Sequence, residues 1–438
     1  MEKEGMPNEN VQEMLERMEA NERFRFAEKN PRFKKLEKEI PLHINCLGLG
    51  RNRISINSTS YRLRIIRHYP HGPPLEHHKR DDLNGGIYYD LDVFGQFDQT
   101  ADSIIFPGDI SIPRAEMPMN DWPKHMENER ELYKDQIEKD KRLLERLNIL
   151  YRIGRDNTVK TEIEELKAKI HFWISRVYCN QPPFDIYIKY SKIENGVEES
   201  INLGSGQKLY EAQKDLFDRL LGERPTITVN RLSVHGNSGV LRLPPGLQLQ
   251  IQELKTAGNL SSLISAISSF VDFTQLQKYI ILAGPDFGDP ENHEHNILKT
   301  VKSVEFVNMN AETNTSYWFD ILLKNENLHL SLRNKEFTAL HILYITDFWI
   351  ERKRTIGTTA KIFIREKSTI QELFEILKTR RNVKYTTISE SREFPEKFRL
   401  PVDLSSEFCV ECDRSTEKRK PRLFIYMEVQ ATQKPEEP

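Results

Sequence analysis

TVNRLSV at 228–234, QIQEL at 250–254, YIIL at 279–282, VEFV at 304–307 and LHLSL at 328–332 are short apolar runs that recur roughly every 25 residues, and this spacing decides how the chain is read. Each has the length of a strand rather than of a helix. Between the second and third runs, Leu260, Leu263, Ile264, Ile267 and Val271 form a helical stripe. Shorter helical material at 295–300 and 317–323 fills later intervals. A strand, a turn and a helix every ~20–29 residues is the geometry of a leucine-rich-type solenoid. The repeats are irregular and carry no LxxLxLxxN signature, so an ordinary α/β domain of alternating elements meets the same periodicity.

C-terminal to the repeats, a helix over 335–351 precedes a βαβ pattern at 359–364, 368–379 and 383–388. Ser368 and Gln371 have capping-box spacing, and Ile370, Leu373, Phe374 and Leu377 mark the face that helix buries. A last hairpin pairs 408–411 with 423–429, and the Pro- and Glu-rich 431–438 reads as a disordered tail.

N-terminal to the repeats lie a helix over 207–221 and a hairpin over 184–203 that turns at Glu194-Asn195-Gly196. Residues 124–180 form a helical hairpin. Val159, Ile163, Leu166, Ile170, Trp173 and Val177 make a heptad-like seam in its second arm. Tyr133, Ile137, Leu144, Leu147 and Tyr151 face that seam from the first arm, interrupted by Asp140. Because both arms are short, the pair is expected to close on itself or on a sheet rather than to form a dimerising coiled coil.

From 41 to 123 the pattern has period two, with Ile54 and Ile56, then Tyr61, Leu63 and Ile65, alternating with polar neighbours in an antiparallel sheet. Residues 6–40 hold three short helices. The first carries Val11, Met14, Leu15 and Met18, the second Phe24 and Ala27, and the third Phe33, Leu36 and Ile40, opened by Pro31. The fold class expected is α+β. It comprises a three-helix cap (6–40), an antiparallel β domain (41–123), a helical hairpin (124–180) and irregular leucine-rich-like strand–helix repeats (184–355). A βαβ unit plus hairpin (356–430) and the tail (431–438) complete it.

The 64 basic and 66 acidic side chains leave a net charge of -2, without the basic excess of a general nucleic-acid binder. No apolar run approaches a membrane span, and the opening MEKEGMPNEN has no apolar signal core. The 4 cysteines are too few for a disulfide scaffold, so an intracellular chain, cytosolic or nuclear, is expected.

Catalytic motifs are missing. Cys409 and Cys412 form a CxxC, but in a strand positions three apart point to opposite faces, and no second pair lies at zinc spacing. His68, His71, His77 and His78, followed by Asp81 and Asp82, are dense enough to interest a transition metal, yet read equally as an exposed loop. His293-Glu294-His295 lacks the HExxH spacing, and Leu203-Gly204-Ser205-Gly206 lacks the lysine of a phosphate loop. No cofactor, metal or catalytic residue is assigned.

The 6–40 segment resembles a degenerate F-box. Met6-Pro7 stands for its Leu-Pro opening, Val11, Met14, Leu15 and Met18 for its first helix, and Phe24, Phe26 and Ala27 for its second. Phe33 stands where Trp is usual. The stretches IPLHINCLGLGRNRISINSTSYRLRIIRHYP and GGIYYDLDVFG resemble a domain of unknown function from a nematode-expanded, F-box-like paralogue family. LSVHGNSGVLRLPPGLQLQIQEL and FWIERKRTIGTTAKIFI are similar to parts of the same family and of F-box-associated proteins. The resemblance implies a target-holding solenoid on a cap that binds an adaptor through Val11, Met14, Leu15, Met18 and Phe24. The expected function is therefore a non-catalytic protein-interaction protein, the substrate-recognition subunit of an SCF-type ubiquitin ligase. Its partners would be proteins, with no nucleic acid and no membrane. A scaffold unrelated to ubiquitination, whose cap completes the fold, is the alternative, and an unrecognised enzyme the third reading.

Overall fold

The computed structural model describes residues 8–70, 73–93, 95, 97–112, 122–178, 181–204, 206–235, 239–257, 259–283, 290–293, 295–308, 329–333, 337–388, 393–414 and 423–432. Met6, Pro7, His71, Cys179 and the expected helix at 317–323 lie outside the described residues. The protein is mixed α and β. None of the described helices is long and apolar enough to cross a membrane. The chain divides into two compact units, one of 1–229 with 237–249 and one of 230–236 with 250–438.

The first unit opens with helices α1 (Asn8–Arg17), α2 (Ala20–Lys29) and α3 (Lys34–Glu39), the last preceded by a 3-10 turn at Pro31–Phe33. Each is too short to be stable alone. They hold together through one core in which Val11, Leu15, Phe33 and Ile40 are buried, with Met14, Met18, Phe26 and Leu36 packed around them. Glu19 caps α2 by accepting from the Asn21 and Glu22 amides.

Beyond the cap run β1 (Leu42–Gly50), β2 (Arg53–Ile56) and β3 (Thr59–His68), antiparallel in sequence. Asn57 makes the β2–β3 turn at φ 53, a left-handed conformation that Asn tolerates, and its side chain accepts from the Asn45 and Cys46 amides. Ile54, Ile56, Tyr61, Leu63 and Ile65 are all buried, as their alternation requires. The sheet does not close within 41–123, however. After α4 (Glu76–Leu83) and a two-residue strand β4 (Ile110–Ser111), the chain passes through α5 (Trp122–Gly154) and α6 (Asn157–Tyr178). It then returns as β5 (Asp185–Glu194) and β6 (Val197–Leu203) to extend the β3 edge. An unpaired edge as long as β3 needs a partner for its backbone groups, and β5 supplies one along the whole strand.

The helical pair closes on its own seam. Ile137, Ile163, Leu166, Ile170 and Val177 are buried, Tyr133 stacks on Trp173 at 4.4 Å, and Asp140 is answered by Lys169 at 3.0 Å. Asp156 accepts from the Thr158 amide to start α6. Helix α7 (Leu209–Leu221) belongs to this unit rather than to the repeats expected over 184–355. The buried Asp90 carboxylate accepts from its Leu209 amide at 2.7 Å, and Lys208 pairs with Asp98 at 3.1 Å. The strand β8 (Val240–Leu241) pairs with β4. Between them, the buried Arg242 holds the Asp109 carboxylate at 2.6 Å beneath the rings of Phe106 and Tyr210.

In the second unit, the part of β7 (Ile227–His235) from Asn230 onward neighbours β9 (Leu249–Ala257), which also carries the short β10 (Val271–Asp272). From β9 the ladder runs in parallel through β11 (Lys278–Ala283), β12 (Ser303–Asn308), β13 (His329–Arg333) and β14 (Thr359–Ile364), in chain order. Helix α8 (Leu260–Ile267) fills the first crossover, and Asn296–Thr300 and Ala339–Glu351 lie in later ones. The expected strand periodicity is thus present as a parallel ladder.

The C-terminal part departs from expectation. β15 (Lys384–Thr387) does not join β14 in a βαβ unit. It pairs antiparallel with β16 (Glu396–Pro401), which is followed in the sheet by β17 (Ser406–Arg414) and β18 (Leu423–Ala431), and β18 pairs with β14. The position beside β14 is taken by β18, a longer and more apolar strand, while all four residues of β15 are exposed. Ser368 does not cap the intervening helix either. That helix runs Lys367–Thr379 with Glu366 at its N-cap, although Ile370, Leu373, Phe374 and Leu377 are its buried face.

Candidate functional site

Alternation along parallel strands sends one set of side chains into the core and lines the other up across the ladder. The inward set is apolar. Leu254, Tyr279, Val304 and Ala360 follow one register line, and Ile281, Phe306 and Ile362 the next, all essentially inaccessible. Tyr279 shares a hydrogen bond with the Thr256 hydroxyl at 2.9 Å, and its burial raises the phenol's pKa far above the ordinary value.

The opposite set is mixed: Glu253, Lys255, Lys278, Ser303, Glu305, Thr359 and Lys361 are half-exposed, and Ile280 is buried. One line runs Glu253, Lys278, Ser303, His329, Thr359, and the next Lys255, Ile280, Glu305, Ser331, Lys361. Charges alternate in sign along this face. Arg231 pairs with Glu253 at 2.6 Å, Lys278 with Glu305 at 3.1 Å, and Lys361 with Asp413 at 3.1 Å over the ring of Phe424. Half-exposed pairs contribute only ~0–1 kcal/mol each to stability. Their regular array is better suited to presenting a charge pattern than to holding the fold together.

The residues expected to bind an adaptor lie elsewhere. Val11 and Leu15 are 1% and 0% exposed inside the cap core, and Phe24 is buried beneath the Arg224 guanidinium. Met14 and Met18 are half-buried. An adaptor could reach the first three only if the cap opened.

The histidine segment does not converge. His78 is buried, hydrogen-bonded to the Tyr69 hydroxyl and edge-on to Phe172 and Phe184. His68 packs on Tyr187, Asp81 pairs with Arg67 at 3.0 Å, and burial raises the Asp82 carboxyl above its usual range. His295 accepts from the Ile297 amide, capping its helix; Glu294 lies outside the described residues. Among the described residues no group of three His, Cys, Asp or Glu is arranged around a metal position.

Cys409 and Cys412 are both buried on β17, opposite Glu428 and Ile425 of β18. Burial pushes the Cys409 thiol up to about 11, the reverse of what a reactive thiolate needs. Brief alkylation of the native protein at pH 8 is accordingly expected to label the exposed Cys46 and to leave Cys409 and Cys412 intact until denaturant is added. Peptide mapping by mass spectrometry reads this directly, and early labelling of Cys409 would contradict it.

Sequence reasoning found the ladder strands but not the charged face they build. The polar residues between the apolar ones, Glu253, Lys255, Lys278, Glu305 and Lys361, were the available signal. Residues 208–366 match the family model DUF3557, a domain of unknown function. The match takes in the ladder from β9 to β14 and the similar segments at 232–254 and 348–364, but not the stretch at 40–95. No curated protein and no solved structure is similar to the chain at a significant level.

Proposed function

We propose that the chain is a non-catalytic protein-interaction protein that holds a protein target on the charged face of the β9–β14 ladder. The observation that carries this reading is the half-exposed array of Glu253, Lys255, Lys278, Glu305 and Lys361 on a strand scaffold whose other face is buried at the described positions. In this reading the strand–helix alternation is an irregular solenoid, a construction that presents extended binding surfaces on successive strands. The cap completes the fold of its own unit, because Val11, Leu15 and Phe24 are already enclosed by this chain.

Affinity capture from cells, followed by quantitative mass spectrometry, tests the reading with Lys255→Glu combined with Lys278→Glu. Both lysines are half-exposed and the Lys278–Glu305 pair that is lost is worth about 1 kcal/mol at most, so the thermal midpoint should fall by only a few degrees while recovery of the bound partner falls about tenfold or more. An unchanged set of partners would remove the ladder face as the binding surface. If an SCF adaptor subunit is recovered, is indifferent to the lysine changes and is lost with Met14→Asp and Met18→Asp, the F-box-like reading displaces this one.

A further inference from the structure

We propose that the first unit carries a phosphate site, in which Arg53, Arg62 and Arg64, side by side on one face of β2 and β3, hold a single dianionic phosphate monoester. The site is separate from the ladder face and does not depend on its role. Along β3, Tyr61, Leu63 and Ile65 point into the core, so Arg62 and Arg64 point the other way. Arg53 of β2 stands directly opposite Arg62, and Lys189 of β5 directly opposite Arg64. Side chains so placed start only ~4.5–5.5 Å apart at their Cβ atoms, and like charges there destabilise the sheet. On the ladder of the second unit the charges alternate in sign; here they do not. Burial, and then the charges of Arg62 and Arg64, lower the Arg53 pKa from the ordinary arginine value. Arg64 shifts the same way, through burial and then Arg62.

The strand carboxylates on this face are committed or distant. Glu198, on β6 beyond β5, pairs with Lys189 at 3.0 Å and accepts from the Ser191 hydroxyl at 2.8 Å. Asp185 lies opposite His68, about 13 Å along β5 from Lys189. The guanidiniums keep donors in hand. Arg62 Nε is buried and donates to nothing among the described residues. Arg53 gives its Nε–H to the Ser55 hydroxyl at 3.0 Å, and Arg64 reaches the Gly86 carbonyl at 3.4 Å, beside the exposed ring of Tyr88. The neighbouring cross-strand positions are Gly48, Gly50, Ser55, Ser60 and Ser191, too small to cover the cluster, and the serines add hydroxyls.

The chemistry of the ligand follows from these donors. A planar guanidinium fork matches phosphate oxygens, two parallel N–H···O bonds at a time. Three adjacent cations without acids of their own suit about two negative charges on one small group, which a phosphate monoester carries near neutral pH. A carboxylate brings only one. An anionic lipid surface fits worse, because β6 sets exposed Glu198 and Glu199 beside the site. The phosphate is therefore a lone one, free in solution or carried on a side chain.

Titration calorimetry of the full-length protein at low salt, with inorganic phosphate and with a short peptide carrying one phosphoserine, should show one saturable site for which the two compete. The same peptide with serine or glutamate in that place should bind at least about tenfold more weakly. A phosphopeptide that binds tighter than inorganic phosphate identifies a side chain as the carrier, and equal affinities identify the free ion. Arg62→Gln and Arg53→Gln should each weaken phosphate binding about tenfold or more. The melting midpoint of the ligand-free protein should not fall, because each change removes a repelled charge. Arg53 is exposed, so its variant decides the matter should Arg62→Gln disturb folding. The proposal is overturned by the absence of saturable binding for both probes, or by an affinity that neither variant changes. Capture only by vesicles of neutral lipid doped with a phosphoinositide overturns it as well.

Discussion

Leu15→Asp is expected to lower the unfolding free energy by about 4 kcal/mol or more, combining the loss of a buried leucine with the burial of a carboxylate that has no partner. Leu15 is 0% exposed, in a cluster with Val11, Phe33 and Ile40, and half-buried Met14, Met18, Phe26 and Leu36 surround it. The cap helices are short, so they share this one core and lose it together. The measurement is urea unfolding followed by circular dichroism, paired with hydrogen exchange at the amides of 11–40. Both should show loss of protection beginning in the cap. If the variant instead keeps the wild-type midpoint and only loses a binding partner, the leucine faces another protein and the cap is a docking module after all. The experiment therefore separates the two readings of 6–40 by stability rather than by binding.

Glu37→Gln is expected to cost about 3–5 kcal/mol, although it changes the side chain's size hardly at all. Glu37 lies between two guanidiniums, 2.9 Å from Arg224 and 3.3 Å from Arg23, and all three side chains are at most 3% exposed. Arg23 also donates to the carbonyls of Glu37, Ile40 and Pro41, tying the end of α3 to the start of β1. Burial already works against the Arg23 charge, the Glu37 carboxylate offsets that, and Arg224 adds to the strain. Neutralising Glu37 leaves two cations facing each other out of water. The unfolding free energy of wild type and variant, compared in urea at neutral pH, gives the cost. A difference below about 1 kcal/mol would mean that water enters this site, since exposed ion pairs are worth no more than that. The network joins α2 and α3 to Arg224 just beyond α7, residues far apart in the chain, so it secures the cap to the rest of its unit.

Which parts of the molecule could be read from the chain alone follows from the range of the forces involved. Ile54, Ile56, Tyr61, Leu63 and Ile65 announced two strands because a buried face imposes period two within the strand itself. Val159, Ile163, Leu166, Ile170 and Trp173 announced α6 because the seam repeats every turn or two. The spacing of 228–332 foretold strands separated by crossovers. Neighbour relations were another matter: nothing local told β3 to take β5 as a partner across the α5–α6 excursion, or β14 to take β18 in place of β15. Backbone hydrogen bonding is the same for every strand, so partner choice is settled by which edges and apolar faces remain when the rest has packed.

The chain by itself determined where strands and helices form, that its charge is balanced, and that no familiar catalytic motif is present, since each depends on residue type and local period. Only the tertiary structure decided that Val11, Leu15 and Phe24 turn inward, that Arg23, Glu37 and Arg224 meet out of water, and that alternating charges line up from strand to strand. A side chain's partner is fixed by burial and by register between distant segments, and neither quantity is carried by any short stretch of sequence.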